Sequence, residues 1–431
     1  MFTKASEKGQ ALILITLAAI GLFAFAALAI DGSMAFSNKR HAQNAADSAA
    51  LAGALSYARE GDTDNVEAVA LARAQANGYE NISGDTSTVV TVAVTDVPEA
   101  EDCPGEAVGK DITVTIVSYM ETSFGKVVGR ETISSGATAT SRACGFKLVP
   151  LFDGNAIVGL KPNDGGNCAV DTGNSNAKSW VTRGGGVFSN GCLEHPNGTL
   201  TIPNDKCITT AGNANTSGGG THNCVNENQG ASVAYEYPED ITAIMPPDPC
   251  TGAITGGRYA GGGKVPTSGQ LSGDPITLDN DVFCISDFSD FDDKHIVLDN
   301  ATLYVTDTSF DMRFNGGGDS GFFGTATQGG TYTGSENYAG YYLIVKILSK
   351  AAADQCDQYF DFRGNGNLGM SGTILAPSTC VDYRGNSTGT SVHSQMVFYR
   401  FTGNGDSAID ITYNEEENHR IPVSPSISLW E

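Results

Sequence analysis

The stretch that decides the architecture is ALILITLAAIGLFAFAALAI, residues 11–30, twenty residues without a charge. At about 1.5 Å of rise per residue, a helix of that length covers ~30 Å, the hydrocarbon thickness of a bilayer. More helix-forming sequence follows, IDGSMAFSNKRHAQNAADSAALAGALSYARE over residues 30–60. A cleaved signal peptide has a shorter apolar core, roughly 7–15 residues, and a small-x-small cleavage site. Here helix-forming residues run straight through the end of the apolar run. The segment therefore reads as a retained transmembrane anchor, Ala11–Ile30, in preference to a removed leader or a buried core helix. Lys4 and Lys8 precede the span, and Lys39 and Arg40 follow it. This weak bias and the short leading segment predict a single-pass cell-membrane protein, N-terminus cytoplasmic, with the bulk of the chain extracytoplasmic.

Charge is divided along the chain. Residues 1–60 carry five Lys or Arg and four Asp or Glu, whereas the rest carry 20 and 45, within a net charge of −24. An acidic exported body repels nucleic acid and anionic lipid headgroups, which excludes both as partners. All ten cysteines lie beyond the span, from Cys103 to Cys380. In an oxidising compartment an even count predicts up to five disulfides. Zinc is disfavoured, since there is no C-x-x-C pair and only six His. Connectivity does not follow from sequence; joining each cysteine to its neighbour gives Cys103–Cys144, Cys168–Cys192, Cys207–Cys224, Cys250–Cys284 and Cys356–Cys380 as a working expectation.

Three regions are expected. Residues 1–60 form the anchor and an extended Ala-rich helix. Ala42, Ala45, Ala46, Ala49, Ala50 and Ala52 give it high helix propensity and a close-packing face, for a partner helix or for its own domain. Gly53 and Gly61 mark a weak point and an end. Residues 61–148 read as a small α+β domain. Asp64 and Glu67 suggest a capping box ahead of a short helix that stops at Gly78. Thr88–Val94, Ile112–Val117 and Thr132–Ala143 read as strands, Tyr119–Val128 as a short helix, and 96–110 as a hairpin connection.

Residues 149–431 differ, holding 40 of the 53 glycines, roughly twice the usual frequency. Phe362-Arg-Gly-Asn-Gly, Tyr383-Arg-Gly-Asn and Phe401-Thr-Gly-Asn-Gly repeat an aromatic-x-Gly-Asn pattern at spacings of 21 and 18 residues, with Phe314-Asn-Gly-Gly-Gly as a looser copy. Short apolar runs accompany them: Gly184–Asn190, Thr199–Ile202, Ile296–Leu298, Thr302–Val305, Leu368–Leu375 and Met396–Tyr399. A period near twenty residues predicts an all-β, right-handed parallel β-helix or solenoid, with aromatic residues stacked inside and Gly or Asn at left-handed corners. The Pro-rich run from Tyr237 to Pro249 interrupts it.

Gly9-Gln-Ala-Leu, the apolar span, Ile30-Asp31-Gly32 and Gln43-Asn-Ala-Ala-Asp-Ser-Ala-Ala-Leu-Ala-Gly-Ala54 together resemble the TadG-like proteins of the bacterial Flp/Tad (tight-adherence) pilus system. The resemblance covers some 50 residues, and the C-terminal region is similar to Gly/Asn-rich β-helical extensions of such proteins. It implies a membrane-anchored exported component of pilus assembly or surface adhesion, with no catalytic residues to carry over. One departure concerns processing. Pilin-like relatives are cut after a Gly and carry Glu as the fifth mature residue; cleavage after Gly9 would place Leu14 there, which argues against a major filament subunit.

The residues themselves offer little chemistry, and no catalytic, cofactor-binding or metal-binding residue is assigned. Asp287, Asp290, Asp292 and Asp293 form the densest acidic cluster, read as a solvated loop in preference to a Ca²⁺ site because the EF-hand pattern is absent. Glu415–His419 reads the same way. His195, His222, His295, His393 and His419 are scattered, and no G-x-S-x-G occurs. Gly261-Gly-Gly-Lys264 lacks the P-loop form and is followed by Val265-Pro266. Asn-x-Ser/Thr triplets stand at Asn81, Asn197, Asn215, Asn300 and Asn386. The sequence thus favours a structural protein without cofactor or small-molecule substrate, partnered by the membrane, by pilus-assembly proteins or by surface ligands. The alternative is a membrane-tethered β-helix carbohydrate lyase or hydrolase, which needs acidic residues grouped with Arg or Lys in one groove.

Overall fold

The structure, a computed structural model, describes residues 8–60, 63–81, 87–97, 103, 109–145, 147–176, 178–203, 205–222, 224–315, 320–329, 334–363, 367–384, 391–423 and 425–430. Two compact units result: residues 1–149 together with 422–431, and residues 150–421.

The first unit is built on one helix, α1 (Lys8–Glu60), unbroken from the apolar span into the Ala-rich segment. Gly53 is no weak point within it. A second helix, α2 (Val66–Ala76), follows. Its cap is Asn65, one residue later than the sequence suggested, without a side-chain capping hydrogen bond from that residue. Gly78 adopts φ +87° just beyond the helix, as a stop residue should. Strands β1 (Thr88–Val97), β2 (Gly109–Glu121) and β3 (Thr132–Cys144) pair in antiparallel order. The C-terminal strand Ser426–Trp430 joins the free edge of β3. Residues 422–431, read from sequence as part of the third region, thus fold with the first unit. The short helix expected at 119–128 is mostly strand and turn. Tyr119, Met120 and Glu121 continue the ladder opposite Ser134, Ile133 and Thr132, leaving only the 3₁₀ turn Gly125–Val128. Most of the loop 96–110 lies outside the described residues, apart from Cys103, which bonds Cys144.

The second unit is a large, almost wholly parallel sheet of short strands. Its strands stand in three columns, each paired with the strand one layer on. One column runs Ile276–Asp279, His295–Asp299, Gly321–Thr325 and the start of Asn367–Arg384. A second runs Val282–Ile285, Thr302–Val305, Tyr341–Val345 and the middle of that long strand. The third joins Phe310–Asn315, Gln358–Arg363 and its end. Ser391–Asn404 then pairs along Asn367–Arg384.

The stack does not stop there. Met396–Phe398 pair with Ile157–Gly159, Phe401 and Thr402 with Val170 and Asp171, and Ala408–Thr412 with Ser179–Arg183. The layer beside Ser391–Asn404 is therefore composed from both ends of the unit. From it the chain runs outward through Ser179–Glu194 and Thr199–Asn215. It then crosses by residues 227–275, which include the helix Glu239–Ile244, and returns inward from Ile276.

The repeated aromatics fill the interior. Phe314, Phe362, Tyr383 and Phe401 stack nearly parallel, with successive centroids 5.0, 4.9 and 5.4 Å apart, and Trp180 meets Phe401 edge-on at 5.3 Å. The Gly-Asn portions after Phe314, Phe362 and Tyr383 fall largely outside the described residues. Left-handed corners appear at Asn280 and Asn300, φ +50° and +51°, and Asn300 Nδ2 donates to Asn280 Oδ1 at 3.0 Å. The next layer turns at Gly324, φ +96°, where a Cβ would lie 1.9 Å from the Leu298 carbonyl oxygen. All ten cysteines are paired as the neighbour scheme expected.

Candidate functional site

The apolar half of α1 is bare. Its most apolar window has a mean hydropathy of 2.7 with none of it buried, so the helix is long and apolar enough to cross a membrane. Leu22 and Phe25 are 70% and 76% exposed. Asp31 is buried, residues 32–41 remain largely exposed, and from Ala42 the pattern changes. Ala42, Ala45, Ala46, Ala49, Ala50 and Ala54 are buried at intervals of three to four residues, forming a stripe along one face. That stripe lies on the inward side of β2 and β3, where Ile112, Val114 and Ile116 meet Ala137, Ala139 and Ala143 in one core. Small residues on both elements let helix and sheet approach closely. At Gly53 a Cβ would stand 3.1 Å from Ile112, 3.3 Å from Ala70 and 3.4 Å from Val66. Of the two readings of the Ala face, packing on its own domain is the one observed.

Polar anchors fix the register of this contact. Asn38 Nδ2 donates to Ser118 Oγ at 2.6 Å and to Ser135 Oγ at 2.8 Å, and the Tyr79 hydroxyl donates to Asn38 Oδ1 at 3.3 Å. Asp31, the first residue after the apolar span, is buried and accepts N–H bonds from Ser123 at 2.9 Å, Phe124 at 3.1 Å and Gly125 at 2.8 Å. Burial pushes its pKa up, but the three N–H donors outweigh that and hold it below the usual carboxylate value. The sequence assigns Asp31 no role. The available signal was an acid at the exit of a charge-free helix, with no cation within a helical turn.

The sequence-derived candidates are not brought together. Asp292 and Asp293 accept backbone N–H bonds from Arg313 and Asn315 at 2.7 and 2.8 Å, and Asp287 accepts from Ser289. Phe288 and Phe291 between them are fully buried, so the acidic segment is a turn pinned by aromatics. Among the described residues no group of His, Cys, Asp and Glu is placed to hold a metal ion. His195 is buried between Thr172 Oγ1 and the Gly219 carbonyl, at 2.8 and 3.0 Å, and burial lowers its pKa. His222 meets the Leu200 carbonyl, His295 the Phe323 ring and His393 Glu417. Lys264 of the Gly-rich run lies over the Phe283 ring and 3.9 Å from Asp281. Asn81 exchanges two hydrogen bonds with the Val90 backbone, both 2.7 Å; Asn386 lies outside the described residues.

One constellation was missed. Asp311-x-Arg313, Asp361-x-Arg363 and Asp382-x-Arg384 repeat on adjacent strands of one column. Arg313 pairs with Asp311, Arg363 with Asp361, and Arg384 with Asp382 at 2.6 Å and Asp361 at 3.4 Å. The D-x-R repeat is the sequence signal for it: in the last two copies it brackets the stacked aromatic, Phe362 or Tyr383, whereas Arg313 stands opposite Asp361. Each carboxylate already holds a guanidinium: three of these pairs each lie within one strand, and Arg384–Asp361 bridges two layers.

An exposed apolar helix that passes directly into a close-packed α+β module defines a helix-tethered class of protein. Within that class, residues 9–58 match the family model described as "Putative Flp pilus-assembly TadE/G-like", the same stretch that carries the TadG-like resemblance. Comparison with curated proteins and with solved structures gives no match.

Proposed function

We propose that this chain is a membrane-anchored, exported structural protein of the Flp/Tad pilus system, acting in assembly or surface adhesion. The observation that carries the reading is the coincidence of the family match with the junction of the bare apolar helix and the packed Ala stripe. Ala11–Ile30 spans the membrane with the N-terminus cytoplasmic, and five disulfides suit an oxidising exterior. The three-part division at 60 and 148 assigns anchoring to the first part and outward presentation to the last. The parallel sheet of 150–421 is a right-handed β-helix whose outer surface, not a catalytic pocket, meets partners. Closed Asp/Arg pairing and the turn role of the Asp287–Asp293 segment support a non-enzymatic body.

The test removes residues 150–421 and joins 149 to 422, which keeps the strand Ser426–Trp430. The shortened protein should stay in carbonate-washed membranes while pilus production or surface attachment is lost. Unchanged attachment, or a glycan-cleaving activity in the intact protein that the deletion abolishes, overturns the structural role.

A further inference from the structure

We infer that the hairpin tip between β2 and β3, residues 121–131, rests in the interface of the bilayer that holds Ala11–Ile30, an inference that depends on that span being a membrane anchor. The span fixes one plane: its apolar run ends at Ile30. Asp31, the next residue, accepts the N–H groups of Ser123, Phe124 and Gly125. The tip is therefore held one hydrogen bond from the point where the helix leaves the hydrocarbon.

What the tip presents suits that place. Val127 is 87% exposed and Phe124 44% exposed, in a turn that would otherwise be expected to be polar. Met34 and Phe36 on α1, just past the boundary, are exposed as well, and Ser123 Oγ lies 3.9 Å from Met34 Sδ. In a chain of net charge −24, residues 121–131 carry two bases and two acids, so the acidity that repels headgroups is absent here. Lys126 pairs with Glu121 at 2.7 Å. An aromatic and an aliphatic side chain on a neutral turn match the interfacial zone of a zwitterionic lipid surface.

The tip is also preformed. Arg130 N donates to the Gly125 carbonyl at 2.9 Å, and Thr122 Oγ1 donates to the Arg130 carbonyl at 2.5 Å. A Cβ at Gly125 would fall 2.7 Å from Thr122 Oγ1 and 2.8 Å from the Arg130 oxygen. Little ordering entropy remains to be lost on contact with lipid. A second point of contact beside the helix would fix how the sheet of the first unit faces the membrane, which a lone spanning helix leaves free.

The experiment places single tryptophans in the full-length protein, reconstituted in phosphatidylcholine brominated near the carbonyl end of its acyl chains, with the signal of the parent protein subtracted. Val127→Trp reports the tip and Leu28→Trp the span. Val69→Trp on α2 reports a site about 30 Å further along α1, since α2 contacts α1 near Ser48 and Gly53. Quenching at 127 should exceed that at 69 roughly twofold or more, with 28 also quenched. Quenching at 28 with 127 no higher than 69 overturns the tip contact and leaves the anchor intact. Absence of quenching at 28 overturns the anchor and the tip contact together, and equal quenching at 69 and 127 shows the unit lying on the bilayer without tip selectivity, which also overturns the inference. Asp31→Ala should reduce the signal at 127 while 28 is unchanged; an undiminished signal removes the positioning role of Asp31.

Discussion

His419 sits in the second unit with its ring stacked on Tyr341, centroids 3.9 Å apart, and its Nδ1 2.8 Å from the Ala339 carbonyl oxygen. Burial pushes its pKa down to about 4, against the opposing pull of that hydrogen bond. The sign follows from proton binding. Below the unfolded value of 6.5 the unfolded chain takes up a proton that the folded chain refuses. The stabilisation is thus full above pH 6.5 and disappears as pH falls towards 4, a loss of about 3 kcal/mol. His195, lowered for the same reason, adds in the same direction. Denaturant unfolding at neutral and mildly acidic pH should show that His419→Gln has a shallower loss of stability across this window than the parent. Equal slopes would remove His419 as the titrating group. Its segment, Glu415–His419, reads from sequence as solvated, which holds for exposed Glu415 and Glu416; Asn418 and His419 are buried, where Asn418 Oδ1 accepts from Gln395 N and His419 N donates to Thr373 Oγ1, partners that local polarity does not reveal.

At the scale of elements, the Ala stripe of α1 works because β3 answers it with Ala137, Ala139 and Ala143. Gly53 belongs to that seam. Helix propensity alone says that replacing it should help by roughly 0.5–1 kcal/mol. The packing says the opposite for anything large, because overfilling a close contact costs about 1–3 kcal/mol. Gly53→Leu should therefore lower the melting temperature of the first unit, followed by far-ultraviolet circular dichroism in detergent. A rise would show that the contact with Ile112 and Ala70 yields freely. The helix α2 begins at Val66, one residue later than the Asp64 signal suggests, and buries Val66, Ala70 and Ala74 along one face.

For the whole molecule, the second unit enters and leaves its own sheet in the same layer, through Ile157–Gly159 and Ala408–Thr412. Every strand pairing that builds its stack lies within 150–421, and so do four of the five disulfides. Expressed alone in an oxidising compartment, residues 150–421 should fold as a β-rich protein with no free thiol, checked by circular dichroism and unreduced mass spectrometry. Reducing Cys356–Cys380, which closes a loop across 24 residues, should cost about 3 kcal/mol. A disordered product would mean that the first unit supplies contacts this stack requires.

The sequence by itself determined what local chemistry determines. Twenty uncharged residues and a run of alanines specify one continuous helix, alternating β-branched residues specify β1 and β2, and a twenty-residue aromatic period specifies stacked strands with aromatics inside. Each of these signals is written within a few residues of where it acts. Tertiary structure decided what depends on residues distant in the chain. Asp31 found its donors more than ninety positions away, Ser426–Trp430 completed the first sheet from the far end of the sequence, and the strands of 157–183 stacked on those of 396–412 on one side as well as on their successors on the other. Parallel edges left open at both ends of the chain segment pair with whichever edge is brought near. Local periodicity sets the spacing of such edges and says nothing about which two will meet.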